Sequence, residues 1–205
     1  VINGAILANE GAADPKSVRA RRQALLGGWE VRRTLKTLES LGARAHYISC
    51  DVRDHDAVAN AFAQVRAKFG PITRVVHGAG VLSDRLLVDK QAGECANVYE
   101  TKVGGLRALL AADPQGEVAH WLLCSSSTAR FGRKGQSDYA LANEALVRIA
   151  QHLRADGRNA LAIDFGPWAG GMVTPALMEL FAREGIDPIG LRAGADQVAL
   201  EMQSR

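Results

Sequence analysis

The chain is 205 residues long, 47% hydrophobic and 23% charged, a balance that supports one sizeable buried core and excludes disorder, collagen and disulfide-dense scaffolds. Aromatics make up 5% against 21 glycines, a blend typical of alternating helices and parallel strands rather than of a β-sandwich. The net charge of +3 is too small to make nucleic acid or a membrane surface the first partner to consider. Cys50, Cys95 and Cys124 are far apart with no CxxC spacing, so neither a disulfide framework nor a metal site is suggested, and with no apolar span or signal peptide a cytoplasmic location is expected.

In chain order, Val1–Ala8 is an apolar lead-in and at best a short strand, followed by a polar link. From Ser17 to Leu41 the residues Leu25, Val31, Leu35, Leu38 and Leu41 recur at helical spacing, interrupted by Gly27-Gly28, which predicts two helices or one broken one. The segment Ser17 to Arg44 holds seven bases against two acids, or +5, and reads as a solvated connector face. Ala45–Cys50 predicts a strand, and Asp54 then caps a helix whose Val58, Phe62, Val65 and Phe69 follow at steps of 4, 3 and 4 up to Gly70-Pro71. Strands are predicted at 72–77, 118–124 and 160–164, and helices at 94–112 and 137–155. Strands alternating with helices of this length imply right-handed crossovers and a parallel sheet covered on both faces. The organisation expected is a lead-in with connector helices over 1–44 and a catalytic part over 45–205.

The candidate chemistry gathers at strand ends, where open parallel sheets carry their active groups. The strand ending Cys124-Ser125-Ser126-Ser127 is followed by Tyr139, 13 residues after Ser126, and by Asn143 one helical turn later. Cys50-Asp51-Val52 closes an earlier strand with a carboxylate placed to meet an adenine edge. His77-Gly78-Ala79-Gly80 closes the next, with small residues that let a cofactor approach the backbone. Lys102 lies on the intervening helix, 37 residues before Tyr139, and the last strand ends in Gly166-Pro167-Trp168. Each feature alone is ordinary; their combination is specific.

With His77-Gly78-Ala79-Gly80-Val81-Leu82, Thr101-Lys102-Val103-Gly104-Gly105-Leu106 and Gly135-Gln136-Ser137-Asp138-Tyr139-Ala140-Leu141-Ala142-Asn143-Glu144, the chain resembles the ketoreductase domains of polyketide and polyunsaturated fatty acid synthases, members of the short-chain dehydrogenase/reductase superfamily. Most stand-alone members carry Tyr-x-x-x-Lys with Asn on the preceding helix; here Asn143 follows Tyr139 and Lys102 is on that helix, the exchange typical of the synthase-embedded branch. Gly166-Pro167-Trp168, followed by Gly170-Gly171-Met172-Val173-Thr174-Pro175, is similar to that branch too.

The resemblance implies a Rossmann-like doubly wound α/β sheet and NADPH-dependent reduction of a β-ketoacyl thioester, borne by an acyl carrier protein, to the β-hydroxyacyl thioester, with other synthase domains in the same chain as partners. Tyr139 is then the proton donor, its phenol acidified by the Lys102 cation; Ser126 anchors the carbonyl, and Asn143 positions Lys102 or a relay water. Cofactor contacts fall to Asp51, Val52, Gly78, Ala79, Gly80 and Pro167, and substrate and stereochemical control to Asp84, Trp168 and Met172. Asp84, third in Leu82-Ser83-Asp84, together with Phe131 where the opposite type carries Trp, points to the 3R hydroxyl product, and 169–185 is similar to a mobile lid.

The family's opening strand and glycine-rich turn are not recognisable, nor is its last strand, so the chain is expected to be cut at both ends relative to that pattern. Gly27-Gly28 has neither the preceding strand nor the spacing to substitute. This keeps a second expectation open, a catalytically silent structural or carrier-docking part of such a synthase.

Overall fold

The structure, a computed structural model, describes residues 14–203 apart from Met172 and Thr174. The strand expected at Val1–Ala8 and Met172, expected to contact substrate, therefore lie outside the described residues. The chain divides into two compact units, Val1–Ser49 and Cys50–Arg205.

In the first unit, helix α1 (Pro15–Ser40) runs unbroken through Gly27-Gly28. Two interior glycines cost about 1 kcal/mol each relative to alanine, which the good helix formers on either side of the pair outweigh. Gly42, at φ 80°, ends the helix in the left-handed turn that glycine adopts without strain. Residues 45–50 are not a strand, which corrects the sequence reading: residue type can suit a segment to a sheet, but a strand exists only where a neighbour takes its backbone groups, and no such neighbour is present among the described residues.

The second unit begins with α2 (His55–Phe69), whose N-cap Asp54 accepts a hydrogen bond from the Ala57 amide at 3.0 Å. Strand β1 (Arg74–His77) leads through a single turn of 3₁₀-helix (Leu87–Asp89) to α3 (Ala92–Tyr99), opened by a capping box between Gln91 and Glu94. The helix predicted over 94–112 is interrupted: after α3 comes a π turn (Glu100–Gly104), then α4 (Gly105–Ala111). The remaining elements are β2 (His120–Ser126), a short α5 (Thr128–Phe131), α6 (Ser137–Ala155), β3 (Ala160–Phe165), α7 (Pro175–Arg183) and α8 (Leu191–Gln203). Among the described residues no helix is long and apolar enough to cross a membrane.

The three strands form a parallel sheet in the order β1-β2-β3. Val75, Trp121 and Ala160 are in register, so with Leu123 they share one face, and that face forms the core with Val58 and Phe62 of α2, Leu106 and Ala108 of α4, and Leu146, Ala150 and Leu153 of α6. On the opposite face Leu122 and Leu161 line a small cavity together with Met202 of α8, while Val76 in the same register row is 56% exposed. The result is the α/β sheet with helices on both faces that the alternation of elements implied. It brings the carboxyl ends of β1, β2 and β3 together beside the π turn and the start of α6.

Candidate active site

At those carboxyl ends lies a cavity of about 560 Å³, within the ~300–1,000 Å³ usual for small-molecule sites. Its wall runs from Gly78 and Gly80 after β1, over Lys102, to Cys124–Thr128 and Tyr139, and across Phe165–Trp168 to Leu177 and Phe181 of α7. Ser126, Lys102 and Tyr139, distant in the sequence, are thus brought together.

Lys102 projects from the π turn, in which Thr101, Val103 and Gly104 are also buried. Its ammonium donates to the Cys124 carbonyl at 2.9 Å and lies 5.5 Å from the centroid of the Tyr139 ring. Burial brings its pKa down to about 8. Burial also pushes the Tyr139 phenol above its ordinary value, although the Asn143 and Ser126 side chains pull the other way. This corrects the expectation that Lys102 acidifies the phenol: desolvation of the phenolate outweighs what its neighbours supply.

Asn143, fully buried, uses its side-chain amide to donate to the Tyr139 carbonyl one turn earlier at 2.7 Å, and its own carbonyl accepts from the Ser125 hydroxyl at 3.1 Å. Its Oδ1 has no partner among the described residues, so of the two roles expected for Asn143, positioning Lys102 or a relay water, the first is not made by this atom. The Cys124 carbonyl takes that part. Ser126 donates to the Thr128 hydroxyl at 3.1 Å, Thr128 to the Gln136 side chain at 3.4 Å, and Gln136 in turn to Asp84 at 2.9 Å. Asp84 is therefore joined to Ser126 through two side chains that the sequence reading had not singled out.

A second connection went unread as well. Lys90 and Asp138 form an ion pair at 2.7 Å with side chains 3% and 5% exposed. Lys90 also donates to the Ser83 carbonyl at 2.7 Å, and Asp138 accepts from the Tyr139 amide at 2.9 Å. With the Arg85 amide donating to the Gly135 carbonyl at 3.0 Å, these bonds clamp the Asp84 loop to the start of α6, where Tyr139 stands.

Of the two glycines after β1, Gly80 has a packing reason beside the one the sequence suggested. A Cβ on Gly80 would stand 3.1 Å from Lys102 Cε, so this position is small to admit the lysine stem; at Gly78 the nearest atom would be Cys124 Sγ at an ordinary 3.7 Å. Trp168 stacks edge-on to Phe165 with centroids 5.3 Å apart, and it is seated by Gly194 of α8, where a Cβ would come 2.5 Å from the indole ring. Pro167 lines the cavity next to it, and its carbonyl accepts from the Ile189 amide at 2.7 Å. Asp51, in contrast, lies at an exposed position gripped by Arg53, whose guanidinium approaches at 2.6 Å and, with the Arg53 amide, holds its carboxyl down to about 2. Val52 beside it packs over Gly105.

A nicotinamide cofactor is the group this fold implies. The donors at the Tyr139 end, a phenol, an ammonium and a serine hydroxyl beside exposed Gly78 backbone, suit the hydroxyl-rich ribose and amide end of such a molecule. The Asp51 end fits less well, its carboxylate being already paired.

A parallel sheet wound on both faces by helices, with a cavity at its carboxyl edge lined by Ser126, Tyr139 and Lys102, defines a Rossmann-like fold of the short-chain dehydrogenase type. The profile of the KR domain family matches residues 7–170, and the chain belongs to that family, the ketoreductase domains of polyketide and polyunsaturated fatty acid synthases. It is 42% identical over 186 residues to one component of the polyunsaturated fatty acid synthase of a Thraustochytrium species, and 33% identical over 172 residues to mellein synthase of Phaeosphaeria nodorum. These alignments take in 90% and 83% of the chain but 7% and 9% of those far longer proteins. Among solved structures it is similar to the ketoreductase from the first module of phoslactomycin biosynthesis in a Streptomyces species, with a TM-score of 0.75 and 30% identity over 80% of this chain and 38% of that one. A ketoreductase domain from the bacillaene assembly line gives a TM-score of 0.76 and 26% identity over 84% and 44% of the two chains.

Proposed function

We propose that the chain is the catalytic part of a synthase ketoreductase that reduces a β-ketoacyl thioester, presented on an acyl carrier protein, to the β-hydroxyacyl thioester with NADPH. The observation that carries this reading is the convergence of Tyr139, Ser126 and buried Lys102 on one cavity at the carboxyl ends of parallel strands. The cofactor, when bound, supplies hydride to the carbonyl carbon. Lys102 and Tyr139 would hold its ribose end, Gly78, Ala79, Gly80 and Pro167 its flanks, and Asp51 and Val52 its adenine end.

Ser126 donates to the substrate carbonyl and stabilises the charge that develops on oxygen. Tyr139, like any phenol, is protonated at neutral pH, and burial pushes its pKa further up, so its proton is available, and it is still a far stronger acid than the alcohol being formed. Lys102, its ammonium held on the Cys124 carbonyl, offers positive charge to the phenolate left after proton transfer. Asp84, Trp168 and Met172 set the face of the carbonyl that is presented, through the Gln136–Thr128 connection in the case of Asp84. The full-length protein given NADPH and a small β-keto thioester is expected to consume one NADPH per β-hydroxy thioester formed; no NADPH consumption would defeat the reading.

One observation favours a second reading, a catalytically silent structural or carrier-docking part: the Asp51 carboxylate is already engaged by Arg53. Fluorescence titration with NADPH separates the two. Micromolar binding supports the reductase and contradicts the silent part.

A further inference from the structure

Lys102 sits in a π turn, a rare irregularity in the helix it interrupts, and this turn receives support from outside the helix. The support comes from β1. His77, the last residue of that strand and 2% exposed, directs its Nε2 at the Lys102 carbonyl at 2.8 Å. A carbonyl only accepts, so Nε2 carries the proton and a neutral ring leaves Nδ1 bare. Burial pushes the His77 pKa down and keeps the ring neutral. The same carbonyl also receives the Gly105 amide, which satisfies both of its lone pairs.

Gly105 also shows that the contact is built into the packing. A Cβ on Gly105 would lie 3.3 Å from His77 Cε1 and 2.9 Å from Val52 Cγ2, so only glycine lets the imidazole and the valine close over the turn. On the other side the Lys102 stem lies against Gly80, three residues beyond His77. Lys102 is thereby held at its backbone by His77 and along its side chain by the loop His77 begins.

We propose that His77 is a positioning residue for Lys102: through its Nε2–H it pins the Lys102 carbonyl, holds the π turn, and so aims the ammonium at the Cys124 carbonyl and the Tyr139 ring. The consequence for turnover rests on the catalytic reading of Lys102 given above; the positioning itself does not. A histidine that merely filled the core would be replaceable by any side chain of similar volume without moving Lys102.

The test uses the 205-residue chain with ¹³C at lysine Cε, the Lys102 signal being assigned by its loss in Lys102→Met. In the parent chain this signal is expected to titrate near pH 8. His77→Leu, which removes the donor, is expected to move the midpoint up by about one pH unit or more, towards the ordinary lysine value of about 10.4. His77→Gln, whose amide donates from a similar reach, is expected to bring it back. A folded His77→Leu chain with an unmoved Lys102 midpoint would overturn the proposal. Should His77→Leu not fold, the parent chain still decides: ¹⁵N spectra of its imidazole must show a neutral ring with the proton on Nε2, and a proton on Nδ1 would overturn the proposal. In the full-length protein, His77→Leu is expected to lower kcat about 100-fold with KM little changed, and His77→Gln to recover most of it. If Lys102→Met left turnover intact, the catalytic reading would fail while the titration result stood; the two failures are therefore distinguishable.

Discussion

Lys102 and Asp51 are charged groups that the sequence reading assigned to one site, Lys102 on a helix and Asp51 at the end of an expected strand, and the structure treats them in opposite ways. Lys102 is 3% exposed, held by the Cys124 carbonyl and the Tyr139 ring, and burial lowers its pKa to about 8. Asp51 has a side chain 50% exposed and is neutralised by a base two residues away. Both are shifted from their ordinary values. Only in the first does the shift arise from the surrounding fold, and that kind of shift, inside a cavity, marks a group available for chemistry. A local partner at the surface lowers a carboxyl just as surely and says nothing about a ligand.

The contrast can be broken or sharpened by experiment. The largest expected effect belongs to the buried ion pair that clamps the Asp84 loop to α6. Lys90→Met leaves Asp138 charged and unpaired in the interior, and is expected to destabilise the chain by about 3–5 kcal/mol in urea unfolding; adding Asp138→Asn is expected to recover part of this. Next comes the glycine under His77. Gly105→Val drives a side chain into Val52 and the imidazole, at an expected cost of ~1–3 kcal/mol measured in the same way.

A smaller effect is the pH dependence of Lys102. Its folded pKa lies below its unfolded one, so between about pH 8 and the ordinary lysine value the unfolded chain binds more protons. Stability therefore rises with pH in that window, and the parent chain is expected to gain on Lys102→Met from pH 8 towards pH 10. The smallest effect is at the exposed group. Asp51→Asn is expected to leave the urea midpoint unchanged at neutral pH in moderate salt, since a surface pair contributes little. A large loss there would mean that the two groups are not as different as their burial implies.

What the sequence shows and hides follows the same division. The buried stripe of α6, with Ala142, Leu146, Ala150 and Leu153, is a local periodic signal, and the predicted span 137–155 is the observed one. The Asp54 cap of α2 is likewise local. The strand expected at 45–50 was illegible in a different sense: its apolar residues suit a strand, but pairing depends on a neighbour, which no local pattern supplies. The helix around Lys102 was legible as a helix but not as one broken by a π turn, because the break is held by His77 from another strand. Gly104-Gly105 was its visible trace, two glycines where an uninterrupted helix would favour larger residues.

Within the site, Ser126, Tyr139 and Lys102 were found through spacing and family likeness. Lys90, Asp138, Gln136 and Thr128 were not: Lys90 reaches Asp138 and Gln136 reaches Asp84 across the chain, and although Gln136 and Asp138 stand in the motif around Tyr139, the motif does not say what they contact. The acidity of Tyr139 was misjudged for a related reason. Sequence puts a cation nearby but does not report how deeply the phenol is buried, and burial decides the sign.

The central claim is that Tyr139 delivers the proton in a ketoreductase site completed by Ser126 and Lys102. It is tested most directly by Tyr139→Phe in the full-length protein, assayed with NADPH and a β-keto thioester. A fall in turnover of about 10²–10⁴-fold with the fold intact is expected; near-normal turnover would contradict the account.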